Sequence, residues 1–272
     1  MKNFLGFGVV GNFAFHLEQA GEASDFVDIK TQEVDAPKGI FPFYIPGFDG
    51  FLGRDCIDNL NLILARGKDI QAEPEIAIRC EFEYENGIIK DITPIAFMAF
   101  NDASIRGDKT ATKISQKKNF SSGSKGFGNE IKIDKFDETG ICNDYSLVSF
   151  LKSNEEFFRY GECAKISEYN YIYAKLLGWI KDTFNSQKDF SVLEDLGEIL
   201  RKSGYKKDVI ITIGATRYEP KGENRFLKTG DEISIVSFNH TKYSLNDITN
   251  FIKNDDDISK FDDISVLKQV VK

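Results

Sequence analysis

Glu73-Pro74-Glu75 places two carboxylates two residues apart, and residues i and i+2 of a strand project from one face. Asp102, at the end of the apolar run Ala96 to Phe100, offers a third acid that can meet them from a neighbouring strand. Three ionised carboxylates at one point repel strongly unless a hard divalent cation shares their oxygens: Mg²⁺ or Mn²⁺, with Ca²⁺ as a further option. The competing reading is a solvated strand surface, since Glu81, Glu83 and Glu85 continue the same odd positions. Pro74 sets the first pair apart. It donates no ladder hydrogen bond, which predicts an edge or bulged strand where side chains are re-aimed.

His16, one of two histidines, lies in Gly11-Asn12-Phe13-Ala14-Phe15-His16-Leu17-Glu18. A histidine beside a carboxylate such as Glu18 serves as a general base at neutral pH, and alternatively is a satisfied core residue. Lys118, in Lys117-Lys118-Asn119-Phe120-Ser121, is a candidate to steady a developing oxyanion, against the plainer reading of a solvated lysine pair. His240 has no matching partner in sequence and reads as structural or exposed. Gly6, Gly8 and Gly11 have dinucleotide-fingerprint spacing, but the strand-helix alternation that such a fold needs does not follow them.

The elements that must carry these residues are mostly strands. Ile76, Ile78, Cys80, Phe82 and Tyr84 alternate with polar residues, Asn86-Gly87 reads as a two-residue hairpin turn, and Ile88–Ile92 and Ala96–Phe100 follow as strands. Residues 107–130 lack any period and read as a long polar loop. A second hairpin is expected at Ser153-Asn154-Glu155, an amphipathic helix over about 165–184, and another from Ser191 to Gly204. Val209–Ile213 and Glu232–Phe238 are strands, the second fed by a turn at Lys228–Asp231, and the tail after Tyr243 reads as short acidic helices on the surface.

The chain has 272 residues, of which 41% are apolar, enough for a full core. Lys plus Arg number 35 against 43 for Asp plus Glu, and the net charge of −8 argues against a nucleic-acid partner, which needs a basic surface. No run of 18 apolar residues occurs and the first residues lack a cleavage pattern, so a cytoplasmic protein without a membrane partner is expected. Cys56, Cys80, Cys142 and Cys163 are too widely spaced for a CxxC motif and suit reduced thiols.

Taken in order, these segments resemble the fumarylacetoacetate hydrolase superfamily, with its acylpyruvate hydrolase and ring-fission isomerase and decarboxylase branches. Gly11–His16 resembles its Gly-x-Asn-Tyr-x-x-His entry motif, and Ile40–Pro46 its Phe-x-x-Lys-Pro segment. Glu73–Ala77 resembles Glu-x-Glu-Leu-Ala, and Phe100–Arg106 resembles Asn-Asp-x-Ser/Thr-Ala-Arg. Lys118-Asn119-Phe120 stands for Lys-Ser-Phe, Ser153–Glu156 for Val-Asn-Gly-Glu, Ile211–Thr216 for the Thr-Gly-Thr strand end, and Phe226–Asp231 for Phe-Leu-Lys-Pro-Gly-Asp. The family's Lys-Pro lysine is absent, Gly107 displaces Asp108 from its Arg-Asp pair, and Gln19 stands where the family's local Glu is common.

The resemblance implies an α+β, mainly β fold: a mixed β-sandwich roll with a few peripheral helices, usually dimeric. A single catalytic domain over 1–243 and an acidic helical extension over 244–272 are expected. Glu73, Glu75 and Asp102 would hold the metal, His16 with Glu18 would activate water, Lys118 would meet the oxyanion, and Arg106 and Thr216 would bind substrate. The activity implied is metal-dependent hydrolysis of a C–C bond in a small diketo or 2-oxo acid, through a metal-stabilised enolate. Decarboxylation or isomerisation of the same substrate class, or non-catalytic binding on the same fold, stand as alternatives.

Overall fold

The alternation that starts at Ile76 belongs to a strand of 12 residues, and the Asn86-Gly87 turn returns it into one of 15. Both turn residues have positive φ, 53° and 78°, the conformation a tight two-residue hairpin requires. The computed structural model describes all residues except Met1, Gln32 and Glu155. The tip of the second expected hairpin, at Glu155, therefore lies outside the described residues, while the strands flanking it pair antiparallel.

In chain order the strands are β1 (Leu5–Val10), β2 (Gly39–Tyr44), β3 (Asn61–Leu62), β4 (Ile70–Gln71), β5 (Pro74–Glu85), β6 (Ile88–Asp102), β7 (Ser104–Ile105), β8 (Lys125–Phe127), β9 (Ile131–Lys132), β10 (Tyr145–Lys152), β11 (Phe157–Lys165), β12 (Asp208–Ala215), β13 (Glu232–Asn239) and β14 (Ile264–Val271). The helices are α1 (His16–Gln19), α2 (Ile114–Lys118), α3 (Tyr173–Ser186), α4 (Leu196–Lys202), α5 (Pro220–Glu223) and α6 (Leu245–Lys253). A seven-stranded sheet runs β2-β1-β12-β5-β6-β8, with β9 also on β6, and a five-stranded sheet runs β11-β10-β13-β14-β3. β1 with β12 and β14 with β3 are parallel and the other pairs in these sheets antiparallel, which makes the architecture a mixed sandwich roll.

The main core joins the facing sides of both sheets, with Phe7, Ile76, Ile78 and Phe82 meeting Leu147, Ile235 and Leu267, and α3 adds Leu176, Ile180 and Phe184. Each sheet is also covered on its second face. Phe41, Phe43, Met98 and Phe100 pack under Phe26, Ile114 and Leu193. Val148, Phe150, Val236 and Phe238 pack under Ile248 and Ile252 of α6. Strands covered on both faces carry no alternation, which is why β1 and β2 do not announce themselves by a period of two.

The glycines of β1 serve this packing. A Cβ on Gly6 would come within 2.2 Å of the Phe43 ring, and one on Gly8 within 2.3 Å of Phe41. They make room for two aromatic rings of the neighbouring strand, and the dinucleotide reading falls with that explanation.

Three expectations are corrected. The polar stretch 107–130 contains α2 and β8. The helix expected from 165 begins at Tyr173 after a 3-10 turn over Ile166–Glu168. The segment after Tyr243 is helical only through α6, because β14 is an inner strand of the five-stranded sheet, with its apolar residues facing both clusters. Gln269 of β14 accepts from Asn101 Nδ2 at 2.8 Å and donates to the carbonyls of Asp58 (2.6 Å) and Gly123 (2.9 Å). A chain ended at residue 243 is therefore expected to lose cooperative thermal unfolding, because β13 is left with an open edge and Asn101 without its partner. A sharp calorimetric transition in that truncated chain would show instead that 244–272 is dispensable.

Candidate active site

Glu73, Glu75 and Asp102 converge because β5 begins where β6 ends. Pro74 lies opposite Asn101 and Glu75 opposite Phe100, so Asp102 comes level with Glu73. The backbone closes the corner: Asp102 N donates to Glu73 O at 3.0 Å, and Glu73 N donates to Asn101 Oδ1 at 3.2 Å. One oxygen from each of the three carboxylates lies within 4.8 Å of the others, and all three residues are buried. Glu81, Glu83 and Glu85, farther along β5, are exposed, so the solvated reading holds for that end of the strand only.

Pro74 is not on an edge, since β5 lies between β12 and β6. The break it requires is in the ladder to β12, where the register shifts between Thr212 and Ala215. Gly214 sits in that break at φ 110°, a conformation glycine adopts without strain, and aims its N–H at Glu75 Oε2 at 3.0 Å.

Cations surround the acids. Lys118 Nζ lies 2.7 Å from Glu73 Oε2 and 2.7 Å from Asp102 Oδ2. Lys125, fully enclosed, lies 2.8 Å from Asp102 Oδ1. Arg106 reaches Glu73 Oε1 at 2.9 Å and Glu22 Oε1 at 2.8 Å, and donates to Gln71 Oε1 and the Tyr218 hydroxyl, both at 2.8 Å. Burial opposes charge at Glu73, Arg106 and Lys118. Lys118 and Arg106 nonetheless hold the Glu73 carboxyl well below the usual range, and Asp102 and Glu73 raise the pKa of Lys118. Glu75 goes the other way: burial and the Asp102 charge push it well above the usual range.

His16 opens α1 after Phe15, which takes a left-handed φ of 65° and is exposed. The His16 ring is buried, with neither nitrogen in a hydrogen bond, and its Nε2 lies 3.8 Å from Glu73 Oε2. His16, Glu22, Glu73, Glu75, Asp102 and Lys118, with Phe41, Leu17 and Ile114, line one cavity of about 20 Å³, room for about one water or ion. A wider hollow of about 510 Å³ lies over Phe150, Phe157 and Phe158, away from this cluster.

Two expected residues take other places. Glu18 is exposed: α1 advances about 100° per residue, so a side chain two positions after the inward-facing His16 points outward. The carboxylate facing the ring is Glu73, and Glu22 shares the cavity. Thr216 is buried with its amide and hydroxyl both donated to the Pro74 carbonyl, at 3.1 and 3.4 Å, so it holds the strand break together. Arg106 is present but fully engaged by protein groups. Lys125, Glu22 and Tyr218 were not evident from sequence: β8 is three residues long, too short for a period, and Glu22 has no motif around it.

The sequence matches, over residues 22–271, DUF5718, described as a family of unknown function. The chain belongs to DUF5718. No curated protein matches it at the sequence level. Among solved structures, this DUF5718 chain is similar to 5-carboxymethyl-2-hydroxymuconate delta-isomerase from Mycobacterium smegmatis, with a TM-score of 0.53 and 15% identity over 98% of this chain and 78% of that one. It is similar to a 2-keto-3-deoxy-D-arabinonate dehydratase at a TM-score of 0.52 and 14% identity, over 98% and 72% of the two chains. It is also similar to a Yersinia pestis protein described as of the fumarylacetoacetate hydrolase family, at 0.51 and 13%, over 99% and 92%. The DUF5718 chain thus has the fumarylacetoacetate hydrolase fold. No helix among its described residues is long and apolar enough to cross a membrane.

α2, which carries Lys118, is tied down by the Ser115 hydroxyl donating to Glu194 Oε1, while Glu194 Oε2 is buried without a partner. Burial raises the Glu194 carboxyl from 4.5 to about 7. The folded state thus keeps a proton that the unfolded chain releases, and stability falls as pH rises from about 4.5 to about 7, then levels. Between pH 5 and pH 8 the wild type is expected to lose up to about 3 kcal/mol relative to Glu194→Gln, read by denaturant unfolding. Parallel pH curves for the two proteins would show that Glu194 is ionised throughout.

Proposed function

We propose that this chain is a metal-dependent hydrolase that cleaves a C–C bond in a small diketo or 2-oxo acid of the acylpyruvate or fumarylacetoacetate class. The observation that supports it most is the meeting of three buried carboxylates, an unpartnered histidine and a lysine around one small cavity. The donor set fits a hard dication. All donors are carboxylate oxygens, and Asp102 Oδ2 is buried beside Lys118 without accepting an aligned hydrogen bond. Glu73, Glu75 and Asp102 would hold Mg²⁺ or Mn²⁺, which when bound supplies positive charge to stabilise the enolate released by C–C cleavage.

The protein's own groups divide the remaining work. His16, with both nitrogens free of hydrogen bonds and Glu73 behind it to stabilise its cation, takes a proton from the attacking water. The hydroxide adds to the carbonyl carbon, the C–C bond breaks, and its electron pair on the departing fragment takes back the proton that His16 removed from the water. Lys118, held charged by its neighbours, meets the developing oxyanion or a substrate carboxylate. Arg106, engaged by Glu22 and Glu73, keeps both acids in place. Isomerisation or decarboxylation of the same substrate class is the second reading, favoured by structural neighbours named as an isomerase and a dehydratase.

Two measurements test the proposal. Saturating Mn²⁺ is expected to raise the melting temperature of the wild type by about 5 °C, the shift of a ligand present at 100 times its Kd, and to leave Glu75→Ala unchanged. With acylpyruvates and fumarylacetoacetate-like diketo acids, His16→Ala is expected to lower kcat by about 10²- to 10⁴-fold while still unfolding cooperatively. Full activity of His16→Ala removes the base assignment. No turnover of any of these acids by metal-loaded wild type removes the hydrolase reading.

A further inference from the structure

Lys125 has no role in the chemistry above, yet it is the most enclosed charge at the site. It lies opposite Asp102 in the β6–β8 pairing, with no exposed surface. Its ammonium donates to the carbonyls of Lys118 (2.7 Å), Ala103 (3.0 Å) and Ser124 (3.1 Å), and Asp102 Oδ1 lies 2.8 Å away. An ammonium has three N–H groups, and these backbone oxygens take all three, so the charge is fixed in position against Asp102 Oδ1 as an ion pair with no hydrogen bond to it. Lys118 differs: its nearest partners are the two carboxylate oxygens Glu73 Oε2 and Asp102 Oδ2, so an incoming cation displaces it from just those atoms.

The same division runs through all three acids. Glu75 Oε2 accepts from the Gly214 amide, while Glu73 Oε1 stands 2.9 Å from Arg106 and Asp102 Oδ1 stands 2.8 Å from Lys125 as ion pairs whose cations block approach to those oxygens. Each carboxylate is left with one oxygen for a metal. Ca²⁺ takes six to eight oxygens at about 2.3–2.6 Å and gains from bidentate carboxylates, whereas Mg²⁺ takes six at about 2.0–2.1 Å and keeps several waters. Committing the second oxygens therefore removes more from Ca²⁺ than from a small octahedral ion.

We propose that Lys125 is a selectivity-determining residue which, by occupying Asp102 Oδ1, restricts that carboxylate to one metal-facing oxygen and so disfavours Ca²⁺ relative to Mg²⁺ and Mn²⁺. This rests on the metal reading of the site. Lys125 also repels every divalent cation equally by its charge, so absolute affinities report the charge and the ratio between ions reports the blocked oxygen.

The test is calorimetric titration of the full chain with Mg²⁺, Mn²⁺ and Ca²⁺ separately, for wild type, Lys125→Met and Glu75→Ala. In the wild type Mg²⁺ is expected to bind at least as tightly as Ca²⁺, and Glu75→Ala to abolish both signals. In Lys125→Met all three ions are expected to bind more tightly, with the gain for Ca²⁺ at least tenfold larger than that for Mg²⁺. An equal gain for all ions overturns the proposal, since only charge was then removed. Should Lys125→Met not fold, the wild-type preference decides: tenfold tighter Ca²⁺ than Mg²⁺ overturns the proposal, and the reverse order supports it. Absence of binding by all three ions to wild type instead removes the metal reading itself, and this inference with it.

Discussion

The site depends on mutual neutralisation between buried acids and buried bases. Glu22, Glu73 and Asp102 lie against Arg106, Lys118 and Lys125 with almost no solvent to screen them. Removing such charges from water costs several kcal/mol per ion, and their attraction repays this only with good geometry on every lone pair. A cluster of this kind adds little stability over apolar packing of the same volume. What it provides is a set of oxygens held in place before any ligand arrives, so the ordering cost is met at folding and not at binding.

That geometry is held by backbone features of the strands. The ladder break at Thr212–Ala215, held by Thr216 on the Pro74 carbonyl, turns the Gly214 amide toward Glu75. The hydrogen bond between Asn101 and Gln269 fastens the end of β6 to β14 in the other sheet. The two sheets thus meet by apolar contact through most of the core and by a buried amide pair directly behind the carboxylates. An amide pair left half-satisfied there is costly, which ties the register of both sheets to the site.

Much of this was legible in the sequence, and the pattern of what was not has a physical cause. β5 and its turn were legible because its far end has one wet face, and only a half-exposed strand shows a period of two. The proximity of Glu73, Glu75 and Asp102 followed from i, i+2 geometry and a strand end. β1 and β2 were hidden because both faces are buried, and β8 because three residues carry no period. Lysines that read as solvated loop residues are buried, since their partners are acids distant in sequence. Glu18 faces outward because adjacency along the chain does not decide which way a side chain points on a one-turn helix. β14 is hidden in the sequence because its neighbours there are aspartates, although its own residues Ile264, Val266, Val270 and Val271 are β-branched.

The position of β14 also bears on how the molecule is made. Synthesis is vectorial, and long-range strand pairing waits for both partners. Glu73, Glu75 and Asp102 leave the ribosome long before Gln269, which supplies the acceptor for Asn101. Through that interval β13 presents an unpaired edge and the acids stay hydrated. The constellation thus becomes fixed only in a late step of assembly, and a nascent chain has no finished cavity before then.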